Sequence, residues 1–348
     1  MILPELPSAS LRLSIDRDGL AANWRALDHL SGQARAGAAV KADAYGLGAS
    51  SVVPVLRDAG CQDFFVAHWQ EVQPLLAHVP AASIAVLHGP LTADDAAYAR
   101  ATGVRPVINS LPQARRWLDA GGGACDVMVD TGINRIGLSL SDLDDPIVSQ
   151  LAVDVLHSHL ACADEVSGMN AAQHERWCAA RGMVQHRRAS LANSAGIMLG
   201  GAYHGDLTRP GLALYGGVPC AALNDQIRQV VTPEVALVQV RDIGAGESVG
   251  YNATFVAPRA MRIGVVSLGY ADGFLRSWSG KGMLRSNGVK VPVIGRVSMD
   301  MTVVDLSAAP NAREGDWLAV DYKLPEAAKT SGLSQYELLT VLGSRFTR

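Results

Sequence analysis

Ala38–Gly48 reads A-A-V-K-A-D-A-Y-G-L-G. Three apolar residues lead to Lys41, and a carboxylate, a tyrosine and two glycines follow. The apolar residues predict a short buried strand. Gly46 and Gly48 predict a tight turn where the backbone comes close to another group. Lys41 then stands where a strand ends and a loop begins. There an amine can be desolvated, lowering its pKa and making it a nucleophile or base. A lysine at a strand end is ordinarily a solvated charge. Tyr45, four residues on across a glycine-marked turn, reaches the same loop space and favours chemistry.

Seven more apolar, β-prone runs follow, at 64–67, 84–87, 104–108, 125–129, 153–156, 188–192 and 206–208. With 38–41 they make eight. Between them lie alanine-rich, helix-like stretches such as Asp94–Arg100, Leu111–Ala120 and Ala171–Arg181. This alternation predicts the α/β class and a (β/α)8 TIM-type barrel. Polar residues leave the runs: Lys41 and Tyr45, His68 and Glu71, His88, Asn109, Asp130 with Arg135, His159, Asn193 with Ser194, and Arg209 with Gly211. Barrel enzymes build their sites at these carboxyl ends. His88 and Asn109 read as ordinary loop residues.

After Gly217 the pattern changes. A linker containing Pro219 gives way to short alternating runs such as V-A-L-V-Q-V, V-K-V-P-V-I-G and M-T-V-V-D-L. They predict an all-β small barrel or sandwich. The expected division is a barrel domain over 10–222 and a mainly β C-terminal domain over 223–348, with residues 1–9 packing on the latter.

At 348 residues, 49% of them hydrophobic, the chain can bury two sizeable cores. A net charge of −3 argues against a nucleic-acid partner. No apolar run reaches membrane-spanning length. M-I-L-P-E-L-P lacks the basic region and apolar core of a signal peptide. The five cysteines are odd in number and show no CxxC spacing, so they read as reduced cytoplasmic thiols.

V-K-A-D-A-Y-G-x-G resembles the pyridoxal phosphate lysine segment of alanine racemases. The resemblance implies pyridoxal 5'-phosphate as cofactor, Lys41 as its Schiff-base lysine and Tyr45 as a phosphate ligand. Further segments match in order. D-T-G-I-N-R-I-G holds Arg135, which by its chemistry is either a bidentate carboxylate partner or a loop arginine paired with Asp130. The resemblance implies contact with the substrate carboxylate. Many members carry a carbamylated lysine two residues before that aspartate. Met128 stands there and cannot form a carbamate, so a bound anion or another side chain must position Arg135.

H-S-H at 157–159 could alone be a metal pair, but no HExxH or second ligand pair accompanies it, and no metal is expected. H-S-H-L-A-C-A-D-E resembles the family's H-x-A-x-A-D-E, implying that His159 orients the catalytic network near the cofactor ring. Asn193-Ser194 and T-R-P-G-L-A-L-Y-G read as phosphate ligands, or as a helix cap and a turn. The resemblance implies that Ser194, Gly211 and Leu212, with Asn193, bind the cofactor phosphate segment and that Arg209 faces the pyridine nitrogen. A guanidinium can only donate, so it disfavours protonation of that nitrogen and weakens the ring as an electron sink. That suits proton removal and return, and suppresses transamination.

In G-Y-N-A-T-F the resemblance makes Tyr251 a second catalytic base. Met299 and Asp300, in G-R-V-S-M-D-M, match a substrate-binding segment, and Tyr336 matches a last phosphate contact. The implied function is racemisation of L- and D-alanine, supplying D-alanine for peptidoglycan, in a cytoplasmic homodimer whose partner supplies Tyr251. A broad-specificity racemase and a non-catalytic pyridoxal phosphate carrier are the competing expectations. Arg209 argues against a decarboxylase, which would pair the ring nitrogen with a carboxylate.

Overall fold

The computed structural model describes residues 7–348. Strand β1 (Leu11–Ile15) comes first, then helix α1 (Arg17–Leu30). Helix α1 buries Leu20, Asn23, Trp24 and Leu27, the one-sided stripe of an amphipathic helix.

The chain divides into two compact units. Arg17–Arg228 forms one, and the described residues up to Asp16 join Gln229–Arg348 in the other. Leu11–Ile15 pairs antiparallel with Val231–Val235, which explains why the first residues group with the β unit and not, from residue 10, with the barrel. Of the expectation for residues 1–9, the first six positions lie outside the described residues.

The first unit is a parallel barrel. Its strands are β2 (Arg35–Ala36), β3 (Ala38–Ala39), β4 (Phe64–Val66), β5 (Ile84–Val86), β6 (Arg105–Ile108), β7 (Ala124–Met128), β8 (Ala152–His157), β9 (His186–Ser190) and β10 (Leu207–Thr208). Strands β3 to β9 pair in sequence order, and β10 pairs with β2. The ring closes through Gly37 N–H to the Thr208 carbonyl (2.9 Å) and Arg209 N–H to the Ala192 carbonyl (2.8 Å). Strands β2 and β3 are two pieces of one strand. Phe65, Ala85, Val107, Met128, Val155 and Leu207 form one buried apolar cluster.

Helices α2 (Ala49–Ala59), α3 (Gln73–Leu76), α4 (Ala93–Thr102), α5 (Leu111–Asp119) and α6 (Gly168–Met183) fill most crossovers. Their starts follow local rules: Thr92 and Ser110 accept the N3 amides of α4 and α5. The alternation is less complete than expected. Between β7 and β8 only the 3-10 turns Leu140–Asp144 and Val148–Gln150 form. Gly132, Gly137 and Pro146 interrupt that stretch, and each opposes a continuous helix.

The second unit is a closed antiparallel barrel. Its further strands are β11 (Val231–Ile243), β12 (Ser248–Val249), β13 (Phe255–Val256), β14 (Met261–Val266), β15 (Met283–Ser286), β16 (Val289–Ile294), β17 (Thr302–Asp305) and β18 (Trp317–Val320). The order is β1-β11-β14-β17-β16-β15-β18, and β18 returns to β11. A register shift between Leu237 and Gln239 bends β11, so one long strand pairs with β1, β14 and β18. Helices α7 (Leu324–Ser331) and α8 (Gln335–Thr340) add helical structure that the sequence reading did not expect beyond residue 225.

Candidate active site

Lys41 does not simply end a strand. It opens a left-handed turn. Ala42, Asp43, Ala44 and Tyr45 all have φ between 52° and 56°. Each such residue costs about 1–2 kcal/mol against the right-handed form. The surroundings hold the turn in place. Val40 O accepts from Ala44 N–H (2.9 Å), Ala42 O from Gly46 N–H (2.8 Å) and Asp43 Oδ1 from Ala49 N–H (2.7 Å). Glu71, from the loop after β4, accepts Ala42 N–H with Oε1 (2.5 Å) and Ala67 and His68 N–H with Oε2 (2.7 and 3.0 Å). Gly46 (φ 85°) ends the turn in a conformation that glycine takes without strain.

Lys41 is the only lysine of the barrel unit; the other four are Lys281, Lys290, Lys323 and Lys329. Burial lowers its pKa, and the cations of Arg135 and Arg209 lower it further against an opposing pull from Glu71. The same cations act on His159, whose pKa burial brings down to about 3. The structure therefore gathers Lys41, Arg135, His159 and Arg209 into one electropositive barrel mouth.

Arg209 is buried behind this mouth. Its Nη1 donates to Ser190 Oγ and to His157 Nδ1 (3.3 Å). Its Nη2 donates to the carbonyls of Ser158 (2.5 Å) and Leu191 (3.5 Å). Four of the five guanidinium protons are thus committed, and Nε–H has no partner among the described residues. Burial pulls the pKa of Arg209 down to about 10, so the group is still a cation at neutral pH. Its histidine partner is His157, not His159 two residues on. Both ring nitrogens of His157 are engaged, since Nε2 meets Asp126 Oδ2 at 3.1 Å, so H-S-H is not a free ligand pair.

Ser194 Oγ accepts N–H bonds from Gly211 (3.0 Å) and Ala213 (3.3 Å). A Cβ on Gly211 would collide with the Tyr45 hydroxyl, so only glycine lets the loop meet that phenol. Leu212 opens the 3-10 turn Leu212–Tyr215, whose first amide has no intrahelical acceptor. The Tyr45 ring lies 4.9 Å from that of Tyr215. Asn193 braces this corner by accepting Gly196 N–H (2.9 Å).

Arg135 is exposed. Asp130 does not pair with its guanidinium. Asp130 instead accepts the backbone N–H of Gly132 (2.8 Å), Asn134 (3.2 Å) and Arg135 (3.0 Å), curling the loop that carries the side chain. Met128 lies in the apolar barrel cluster, where a charged side chain would need a partner that its neighbours lack. Sequence reasoning missed Gln173 altogether. This fully buried residue of α6 donates to Thr131 Oγ1 (3.3 Å) and the His159 carbonyl (2.9 Å), tying the Arg135 loop to the His159 segment. A buried glutamine gives no signal in a helical run.

Tyr251, Met299, Asp300 and Tyr336 belong to the β unit. Tyr251 is 68% exposed and lines a cleft of about 310 Å3 with Tyr270, Arg276, Arg296 and Met299. Asn252 and Ala253 beside it have positive φ. Met299 O accepts Ala271 N–H (3.0 Å), which pins its loop to the Gly269–Phe274 segment. The Asp300 carboxylate pairs with Arg345 (2.8 Å), which also holds buried Asp272 (2.6 Å). Tyr336 lies half-exposed on α8.

The chain matches the alanine racemase N-terminal domain over residues 15–219 and the C-terminal domain over 230–348. An alanine racemase of Rhizobium meliloti is 41% identical over 99% of this chain and 98% of its own length. A biosynthetic alanine racemase of Agrobacterium fabrum is also 41% identical, over 98% of this chain and 93% of its own length, and a catabolic one from the same organism is 40% identical over 98% and 92%. Identity therefore does not separate the two roles. The solved alanine racemase of Bartonella henselae, with covalently bound pyridoxal phosphate, superimposes with a TM-score of 0.89 at 32% identity over 98% of this chain and 99% of that one. Both domains, the barrel mouth and the full-length relatives agree: the chain belongs to the alanine racemase family.

Proposed function

We propose that this protein interconverts L- and D-alanine with pyridoxal 5'-phosphate and two protein bases. Lys41 carries this reading: it is the barrel unit's one lysine, held in a strained turn, with a lowered pKa. The residues present fit the cofactor. Lys41 would take its aldehyde. The corner where Gly211 lets the loop meet the Tyr45 hydroxyl, with Ser194 and the Leu212 amide, would take its phosphate, and Asn193 would brace that corner. The uncommitted Nε–H of Arg209 would face the ring nitrogen. When bound, the cofactor draws electrons away from the substrate Cα–H bond and acidifies it.

The protein's own groups do the rest. Arg135 grips the substrate carboxylate as a bidentate donor, and the Met299 loop contributes a backbone contact beside Asp300. Lys41, released when the substrate's amine takes its place on the aldehyde, would remove or return the Cα proton on one face. Burial and the cations of Arg135 and Arg209 lower its pKa, which favours the free amine over an ordinary lysine's ammonium. Tyr251 does the same on the opposite face. A proton leaves one face and a proton arrives at the other, with no net oxidation.

In this reading a second copy of the chain supplies Tyr251, making the active unit a cytoplasmic homodimer. The exposure of Tyr251 and Met299, which line one cleft, supports this, because large exposed side chains at a cleft suit a surface that another chain covers. A match to both domains, including the segment with Tyr251, favours a catalyst over a bare cofactor carrier.

A substrate panel tests the proposal. L-alanine, L-serine, L-lysine and L-arginine are each incubated with the holoenzyme, and loss of optical activity is followed. Alanine is expected to lead by about tenfold or more in kcat/KM. Equal or faster inversion of lysine or arginine would replace this assignment with a broad-specificity racemase.

A further inference from the structure

Behind Arg209 lies a buried charge network that the catalytic reading does not use. His157 and Asp126 are both fully buried. Asp126 accepts from Val155 N–H (3.1 Å), meets His157 Nε2 and lies 3.3 Å from Arg105 Nε. Arg105 continues to Asp63 (3.0 Å) and Asp154 (3.5 Å), and Arg188 spans the same two carboxylates. Three carboxylates thus meet Arg105 and Arg188, exposed Arg187 reaches Asp154 (3.7 Å), and Arg209 lies on the far side of His157, so the carboxylates are matched without a charge on the imidazole. The edge of Phe65 packs against the His157 ring. Burial brings the imidazole down to about 4, against the pull of Asp126.

The donors fix one tautomer. Arg209 can only donate, so His157 Nδ1 must present its lone pair. Nε2 then carries the proton and donates it to Asp126.

We infer that His157, held by Asp126, is a positioning residue that locks the guanidinium of Arg209 so that only Nε–H points at the cofactor's ring nitrogen. This rests on the placement of Arg209 proposed above. Ser190 and the two carbonyls share the two terminal nitrogens with His157, whose ring completes the set of four acceptors that holds the plane of the guanidinium. Loosening that contact lets Arg209 turn and lets the ring nitrogen take a proton.

The test uses the holoenzyme and three readouts: kcat against KM for alanine, the pH titration of the bound cofactor's visible absorption, and Tm. His157→Leu is expected to lower kcat about 30-fold with KM within about twofold, and to move the absorption titration by about one pH unit. His157→Gln, which can accept from Arg209 and donate to Asp126, is expected to recover kcat to within about threefold. If His157→Leu does not fold, Asp126→Asn takes its place, because an amide donor facing Nε2 favours the wrong tautomer and gives the same signature. Wild-type kcat and titration in a folded variant, or His157→Gln no better than His157→Leu, would overturn the inference. Arg209→Gln separates the two layers. If it leaves the titration unmoved, Arg209 is not at the ring nitrogen; if it moves the titration while the His157 and Asp126 variants do not, only the role of His157 fails.

Discussion

Lys41→Ala is expected to lower alanine racemisation by about 10⁴-fold or more, because the variant loses one of two bases and the only barrel amine able to hold the cofactor covalently. The loss should be visible before any turnover. The wild-type protein, mixed with pyridoxal phosphate and dialysed, should keep the cofactor at about one per chain. The variant should release it. Folding should change little, since the side chain makes no hydrogen bond or ion pair among the described residues. Retained rate in a cofactor-free, folded Lys41→Ala protein would remove the basis of the proposal.

Tyr251→Phe is expected to lower racemisation about 10²- to 10⁴-fold in both directions, the usual range for a lost general base or acid. Each direction needs both bases, so neither should be spared. The more telling result concerns hydrogen exchange. In deuterated water one enantiomer of alanine should still exchange its Cα hydrogen through Lys41 without inverting, and the other should stop. Equal exchange of both would mean that a single base serves both faces. The exposed position of Tyr251 adds a second expectation: activity per chain should fall as the protein is diluted below the concentration at which copies pair.

The barrel was legible because its apolar runs are short, β-prone and followed by polar exits. The motif segments marked the positions of the barrel-mouth residues in the same way. The missing part is what tertiary contacts decide. No local signal predicts four left-handed residues after Lys41. Alanine at 42 and 44 prefers the opposite hand, and the turn persists because Glu71 from another loop and the Gly46 and Asp43 bonds hold it. The partner of Arg209 could not be read either. His157 and His159 are two residues apart, and only the fold decides which ring reaches the guanidinium. The alternation predicts a helix within 129–151, but the glycines and Pro146 there leave only turns. Helices α7 and α8 escaped notice because each is short and follows a strand-rich sequence.

The most direct measurement is borohydride reduction of the holoenzyme followed by peptide mass mapping. The cofactor mass should appear on Lys41 and on none of Lys281, Lys290, Lys323 or Lys329. An active enzyme that carries the label on one of those four, or on no lysine at all, would contradict the account.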